Sequence, residues 1–357
     1  MLLAAYSRVK HSVKTFLVTG GAGFIGSNFV HHLYNAYPDC RILVLDVLTY
    51  AGSLDNLPVG FSREANNRRV QFWYGDVRNA SLVDSLVEQA DVVVHFAAET
   101  HVTRSIYDNY HFFETDVLGT QVVANSVLKH VKHVDRFIHI STSEVYGTAR
   151  TPKMDEEAPL MPMSPYAGAK AGADRLVYSY WATYNLPAII VRPFNQYGPR
   201  QHLEKVIPRF ITSCLLDEPV RVHGDGSAAR DFTHVEDTCR ALDRLSHCDR
   251  QTVVGEVINL GYGSSISLAE MAPLVVRMMG KPESLITYVG DRPGQVFRHT
   301  ADASKAERLV GWRPQVTFEE GLQRTIAWYK DNRAWWEKQL WMREIPIVTK
   351  TGTRELH

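Results

Sequence analysis

A doubly wound parallel α/β sheet joined to a smaller, mixed α/β substrate lobe is the fold class the sequence predicts, on three observations. Short β-branched apolar runs alternate with longer helical patterns through the first half of the chain. A glycine-rich turn links the first apolar run to the first helical pattern. Past Pro193 the alternation loosens into a stretch rich in Pro, Gly and charge, followed by isolated amphipathic helical patterns.

Six strands are expected, at Thr15 to Thr19, Arg41 to Leu45, Val70 to Tyr74, Asp91 to Phe96, Arg136 to Ile140 and Ala188 to Arg192, all but the fourth followed directly by a Gly, Asp, Ser or Pro. Helical periodicity recurs at Ser267 to Met279 and Phe318 to Asn332. The resulting division places a dinucleotide-binding domain at residues 14–192, with 231–258 returning to it, and a substrate lobe at 193–230 and 259–345. Residues 346–357 form a tail, polar and loosely ordered from Val348 onward, and neither internal repeats nor low-complexity tracts occur.

With 357 residues, 45% of them hydrophobic, the chain can bury a large core. Lys+Arg and Asp+Glu each number 39, so no global charge field points to nucleic acid or a membrane surface, and an anionic ligand must be held by local groups. Four cysteines, Cys40, Cys214, Cys239 and Cys248, match no usual metal or disulfide spacing. No bound metal is expected. The run Met1 to Tyr6 is too short for a signal-peptide core, and no stretch approaches the roughly 20 apolar residues of a membrane span. A soluble protein in a reducing, cytoplasmic setting is the expectation.

The cofactor signal lies where the strand ending at Thr19 runs through Gly20-Gly21-Ala22-Gly23-Phe24-Ile25-Gly26 into a helical pattern. Gly20 permits the tight turn, Gly23 lets the backbone approach a pyrophosphate, and Gly26 lets helix and strand pack closely; Phe24 and Ile25 open the helix whose N–H groups face the phosphates. The next strand runs into Asp46, 20 residues beyond Gly26, where a carboxylate can accept from an adenosine ribose and repel a 2′-phosphate. This is the fingerprint of a Rossmann-type domain that binds NAD in preference to NADP. Asp76 and Val77, after the third strand, can reach the adenine, while Asp76 can equally serve as a helix cap.

Chemistry is expected at the C-terminal ends of the strands. The strand ending at Ile140 leads into Ser141-Thr142-Ser143-Glu144, and Tyr166 and Lys170 lie four apart on the following helix, hence on one face. A neighbouring ammonium favours the phenolate, which makes Tyr166 a base for a substrate hydroxyl, with Thr142 hydrogen-bonding the same oxygen and a hydride passing to a nicotinamide. Glu144 is a carboxylate just beyond a buried strand, either a catalytic group or a local cap.

Several strings carry a resemblance across nearly the whole chain. They are Val18 to Ser27, Leu48-Thr49-Tyr50-Ala51-Gly52, His95 to Val102, Arg104-Ser105-Ile106, Ser164-Pro165-Tyr166-Ala167, Glu204-Lys205-Val206-Ile207-Pro208 and Asp291-Arg292-Pro293-Gly294. In them the chain resembles the NAD-dependent nucleotide-sugar epimerases and dehydratases of the extended short-chain dehydrogenase/reductase type, and most closely the dTDP-glucose 4,6-dehydratases. The resemblance implies that Ala97, Ala98 and Thr100 line the cofactor. It implies that Thr100, Asn195, Glu204, Lys205, Val206, Arg230, Asn259 and Arg292 contact a nucleotide-diphosphate sugar, with the arginines either engaging phosphate oxygens or forming structural ion pairs. It also implies a homodimer, packed through the Tyr166 helix and the one before it.

Three departures stand out: Ser143 where the dTDP-glucose enzymes carry Asp, Val296 where they tend to have Asp, and Thr103 where they have Asp. A serine hydroxyl has no ionisation near neutral pH and is a poor general acid. The Thr142-Ser143-Glu144 order instead looks like that of GDP-mannose 4,6-dehydratases and of UDP-glucuronate decarboxylases. The implied activity is a 4,6-dehydratase with Thr142, Ser143, Glu144, Tyr166 and Lys170 at the reacting sugar. UDP-glucuronate decarboxylation and C4 epimerisation begin with the same oxidation, and a nucleotide-sugar-binding regulatory protein is the non-enzyme alternative.

Overall fold

A computed structural model describes residues 15–58, 69–290, 297–348 and 354–356. Its centre is a sheet built from β1 (Thr15–Thr19), β2 (Arg41–Asp46), β3 (Val70–Tyr74), β4 (Val92–His95), β5 (Arg136–Ile140), β6 (Ala188–Pro193) and a seventh strand, Val257–Leu260. From the seventh strand the order runs β6, β5, β4, β1, β2, β3, and every pairing is parallel. The order reverses beside β1, which opens a crevice at the C-terminal ends of β1 and β4.

A parallel sheet covered on both faces needs strands that are apolar throughout, and β1 and β4 are buried at every residue. Alternate side chains supply the two faces. Phe16, Val18, Ile42 and Val44 pack against α1 (Phe24–Ala36) and the helix Val235–His247. Leu17, Leu43 and Leu45 pack against α2 (Ala80–Val87) and the helices Thr120–Lys129 and Pro165–Tyr184.

A further cluster of buried side chains gathers Phe210, Ile211, Val220, Met271, Val275, Leu322, Ile326 and Trp336 from elements after β6. The two amphipathic patterns are helices Leu268–Met278 and Phe318–Asp331, each opened by a capping box, Ser267 with Glu270 and Thr317 with Glu320. Within the tail, Pro346–Val348 and Arg354–Leu356 pair antiparallel. No helix among the described residues is long and apolar enough to cross a membrane.

Beneath β6 a buried Arg192 forks onto Asp174, with Nε and Nη2 2.8 and 2.9 Å from the two carboxylate oxygens. Burial opposes the charge on Asp174, yet the hydrogen bonds from Arg192 hold it down at about 2. This pair anchors the Pro165–Tyr184 helix to the sheet and so fixes the platform that carries Tyr166 and Lys170.

Candidate active site

A cleft of about 580 Å³ runs along the C-terminal ends of the strands. Its floor at one end is the glycine turn. Gly20 has φ +67°, and a Cβ there would sit 2.6 Å from the Ala97 nitrogen; one on Gly26 would sit 2.3 Å from the Gly20 carbonyl oxygen. Neither position admits a larger residue without moving backbone. Helix α1 begins after Gly23 with no side-chain cap, the arrangement that leaves first-turn N–H groups for an anion. Phe24 and Ile25 line the cleft beside them.

At the end of β2, the Asp46 carboxylate accepts from the Ala22 and Leu48 N–H groups at 2.9 and 2.8 Å. Burial pushes its pKa up, and these bonds pull against it. Asp76 lines the same end and forms an ion pair with Arg78 at 2.7 Å, with Val77 beside it. The cradle and the buried carboxylate together fit an adenine dinucleotide, and Ala97, Ala98 and Thr100 continue the wall.

The other end of the cleft brings together Thr142, Ser143, Glu144, Tyr166 and Lys170. Thr142 accepts the Glu144 N–H at 3.2 Å and opens a short 3₁₀ turn, Ser143–Tyr146, that sets the Glu144 backbone. Ser164 caps the following helix and Pro165 starts it, so Tyr166 falls in the first turn. Lys170, one turn on, is buried and donates to the Ile140 carbonyl at 2.7 Å.

The protein's own groups do not favour the Tyr166 phenolate: burial raises its pKa, the nearby Asp116 carboxylate raises it further, and hydrogen bonds with Thr142 and Thr100 oppose them. Burial lowers the Lys170 pKa while Asp116 and Asp174 support its charge. The fold buries both members of the pair and sets a carboxylate beside them, so stabilisation of the phenolate falls to Lys170 and to a bound nicotinamide cation.

On the substrate side, Glu204 has no exposed side-chain surface. It accepts from Tyr50 Oη at 2.9 Å and from Arg104 Nε at 2.9 Å, and the Arg104 guanidinium lies 3.8 Å over the Tyr50 ring. Burial raises the Glu204 pKa, but His101, Lys205, His202 and Arg104 overcome it and bring it to about 2. Lys205 reaches the Thr100 hydroxyl at 3.5 Å, and Asn195, Val206 and Arg230 line the same region.

Asn259 is not brought to the cleft. It sits on the seventh strand and is fully buried; it accepts from Tyr146 Oη at 2.8 Å and donates to the Met154 carbonyl at 3.0 Å. Its amide is consumed in packing the sheet edge. Arg292 and Val296 lie outside the described residues.

With this geometry in view, comparison with known proteins becomes specific. A family model described as GDP-mannose 4,6 dehydratase matches residues 17–325. The chain belongs to that family. It is 44% identical over 326 residues to a dTDP-glucose 4,6-dehydratase of Streptomyces antibioticus, covering 90% of this chain and 94% of the relative. It is 46% identical over 313 residues to a low-salt glycan biosynthesis protein, Agl12, of Haloferax volcanii, covering 88% of this chain and 97% of the relative. A crystal structure of DesIV, a dTDP-glucose 4,6-dehydratase of Streptomyces venezuelae with NAD and TYD bound, superposes with a TM-score of 0.85 at 41% identity, covering 91% of this chain and 99% of that one.

The structure adds site residues to which sequence reasoning gave no role. Tyr50 and Arg104 sat in strings already singled out, so their signal was present without a partner to explain it. Asp116 accepts the Glu99 N–H at 2.7 Å from within a π-helical turn, Phe113–Gly119, which no periodicity would reveal. His299 meets Ser143 from 156 residues away, and that separation leaves no local signal.

Proposed function

We propose that the protein is an NAD-dependent nucleotide-sugar 4,6-dehydratase. The observation that carries this reading is the convergence of Thr142, Glu144, Tyr166 and Lys170 at one end of the cleft whose other end holds the glycine cradle and Asp46. NAD, when bound, takes a hydride from C4 of the sugar and returns it at C6, so it is regenerated within each turnover.

The chain's own residues handle protons and position. Tyr166 takes the C4 hydroxyl proton, with Thr142 holding the same oxygen and Lys170 supplying positive charge beneath. The resulting ketone acidifies C5–H. Glu144 removes that proton and delivers it to the C6 oxygen as the C6–O bond breaks, releasing water; reprotonated from solvent, it returns a proton to C5 as hydride adds at C6. Asn195, Lys205, Val206 and Arg230 receive the nucleotide diphosphate, and the buried Glu204 holds Tyr50 and Arg104 in place beside it.

The test is product analysis after incubation with NAD and a panel of dTDP-, UDP-, GDP- and CDP-sugars. A 4-keto-6-deoxy sugar from one of them is the expected result. A pentose or a C4 epimer alone would move the assignment to a decarboxylase or an epimerase, and absence of any nicotinamide reduction would favour a binding protein.

A homodimer in the cytoplasm belongs to the same proposal. Tyr110, Phe113 and Leu118, which precede the Thr120–Lys129 helix, and Tyr178 and Tyr184, on the Pro165–Tyr184 helix, are large apolar side chains left exposed. The four cysteines are free, which suits a reducing compartment. Sedimentation should give a dimer, and a monomer at all concentrations would remove that part of the proposal.

A further inference from the structure

Ser143 stands where the dTDP-glucose enzymes carry a carboxylic acid, and the structure gives it an unusual neighbour. His299 is fully buried behind the cleft, with Nδ1 3.5 Å from Ser143 Oγ and Nε2 2.5 Å from the Gly147 carbonyl oxygen. A carbonyl can only accept, so Nε2 carries a hydrogen. In the neutral ring Nδ1 is then a bare acceptor facing Ser143, and of the two groups only the serine hydroxyl can donate across the 3.5 Å between them. Burial lowers the His299 pKa, with Glu144 and Arg230 pulling in opposite directions, so the neutral ring is the favoured form.

The ring is held from several sides. Its backbone N–H donates to the Ala229 carbonyl at 3.3 Å, and the Phe194 ring packs edge-on with centroids 6.0 Å apart. The Gly147 carbonyl oxygen against Nε2 selects the Nε2–H tautomer. With its hydrogen directed at His299, Ser143, which lines the cleft, keeps its oxygen lone pairs for whatever occupies the cleft.

We infer that His299 is a positioning residue that turns Ser143 into a hydrogen-bond acceptor for the sugar's leaving C6 hydroxyl. The inference rests on the dehydratase reading above. In that step the C6 hydroxyl donates its hydrogen to Ser143 Oγ, which aims an oxygen lone pair at Glu144. Glu144 then handles two protons in turn: the C5–H bond breaks to protonate its carboxylate, that proton goes to the departing oxygen as the C6–O bond breaks to make water, and the carboxylate, reprotonated from solvent, protonates C5 as hydride returns at C6. No second acid is required, and Ser143 neither gains nor loses a proton.

The experiment follows reduced-nicotinamide absorbance in single turnovers of the holoenzyme with dTDP-glucose, or with whichever nucleotide sugar the panel identifies. The rise reports C4 oxidation and the decay reports elimination with hydride return. Ser143→Ala and His299→Phe should each leave the rise within about twofold and slow the decay roughly tenfold, the worth of one hydrogen bond. The double variant should be no slower than either single one, because both remove the same contact. His299→Gln, whose amide can again accept from Ser143, should recover part of the loss. Nitrogen-15 NMR of the unmutated protein should show His299 protonated at Nε2 and bare at Nδ1, a readout that does not depend on any variant folding.

The opposite tautomer, equal slowing of rise and decay, multiplied losses in the double variant, or an unchanged decay in His299→Phe each overturns the inference while the dehydratase reading stands. An unmutated protein that makes no 4-keto-6-deoxy sugar overturns both.

Discussion

One carboxylate oxygen of Asp46 accepts the backbone N–H of Ala22 at 2.9 Å, so the residue ending β2 holds the glycine turn that follows β1. The other oxygen accepts the Leu48 N–H at 2.8 Å. Each oxygen keeps a second lone pair, and the same group can organise the turn and receive ribose hydroxyls.

Asp46→Ala should therefore act twice. NAD affinity should fall by roughly tenfold or more, and discrimination against NADP should relax, because an acceptor and a repelling charge go together. The unliganded protein should also melt lower, since the Ala22 and Leu48 N–H groups lose their partner. Titration with both cofactors and a melting curve without either would separate the effects, and equal affinities for NAD and NADP in the unmutated protein would count against the assignment.

Glu204 ties stability to pH. Its carboxyl titrates near 2 in the folded protein against an ordinary 4.5, so it stabilises the fold above the unfolded value and loses that contribution as pH falls from 4.5 towards 2. Glu204→Gln should cost about 1–3 kcal/mol at neutral pH, the partial exposure of Arg104 keeping it below the cost of breaking a fully buried pair. Denaturant unfolding at a series of pH values would check this: the gap between variant and unmutated protein should close across that acid window, and a gap independent of pH would contradict it.

Much of the fold was legible because the physics that builds it is local. Strands such as Phe16-Leu17-Val18 and Val92-Val93-Val94 must be apolar on both faces, and the glycines of the first turn are fixed by contacts a Cβ would forbid. The six strands expected lie where the sheet has them to within one residue at either end: β2 and β6 reach one further, to Asp46 and Pro193, and β4 is one shorter at each end. The seventh strand was not read as one. Val-Ile-Asn-Leu is four residues long and interrupted by a polar side chain, and only its pairing with β6 makes it a strand. Asn259 was assigned to the substrate for the same reason, since nothing local shows that Tyr146 and Met154 absorb its amide. The base and its neighbouring cation on one helix, Tyr166 and Lys170, were visible by spacing; Asp116 and His299, which face Tyr166 and Ser143 from across the fold, were not.

Tyr166→Phe removes the phenol and keeps the ring, and turnover should fall by roughly 10²–10⁴-fold with substrate binding largely retained. Because burial and Asp116 hold the phenol above its ordinary range, the reactive phenolate is the scarcer form and gains with rising pH. The rate of C4 oxidation in the unmutated enzyme should climb between about pH 6 and 9 in stopped-flow traces, and the residual rate of Tyr166→Phe should not. A flat profile in both would show that Tyr166 is a packed helix residue only.

The elimination step puts Glu144 to the sharpest test, because the candidate reactions differ in which bond breaks after the common oxidation. A dehydratase must break C5–H, a decarboxylase breaks the bond to its carboxylate, and a C4 epimerase breaks no further bond to carbon. Glu144→Gln keeps the shape of the side chain and loses its proton affinity, so C4 oxidation should survive while water loss stalls by about 10²-fold or more. Reduced cofactor should then accumulate on the enzyme, visible as a stable rise in nicotinamide absorbance. In deuterated water the unmutated enzyme should place solvent deuterium at C5 of its product, since the final protonation there draws on an exchangeable carboxyl. A decarboxylase would also label C5, but in a pentose that has lost C6 as carbon dioxide instead of a 6-deoxyhexose, and absence of deuterium from the ring would mark an epimerase. Glu144→Gln turning over at the unmutated rate would leave the fold and the cofactor cradle as described and remove Glu144 from the chemistry.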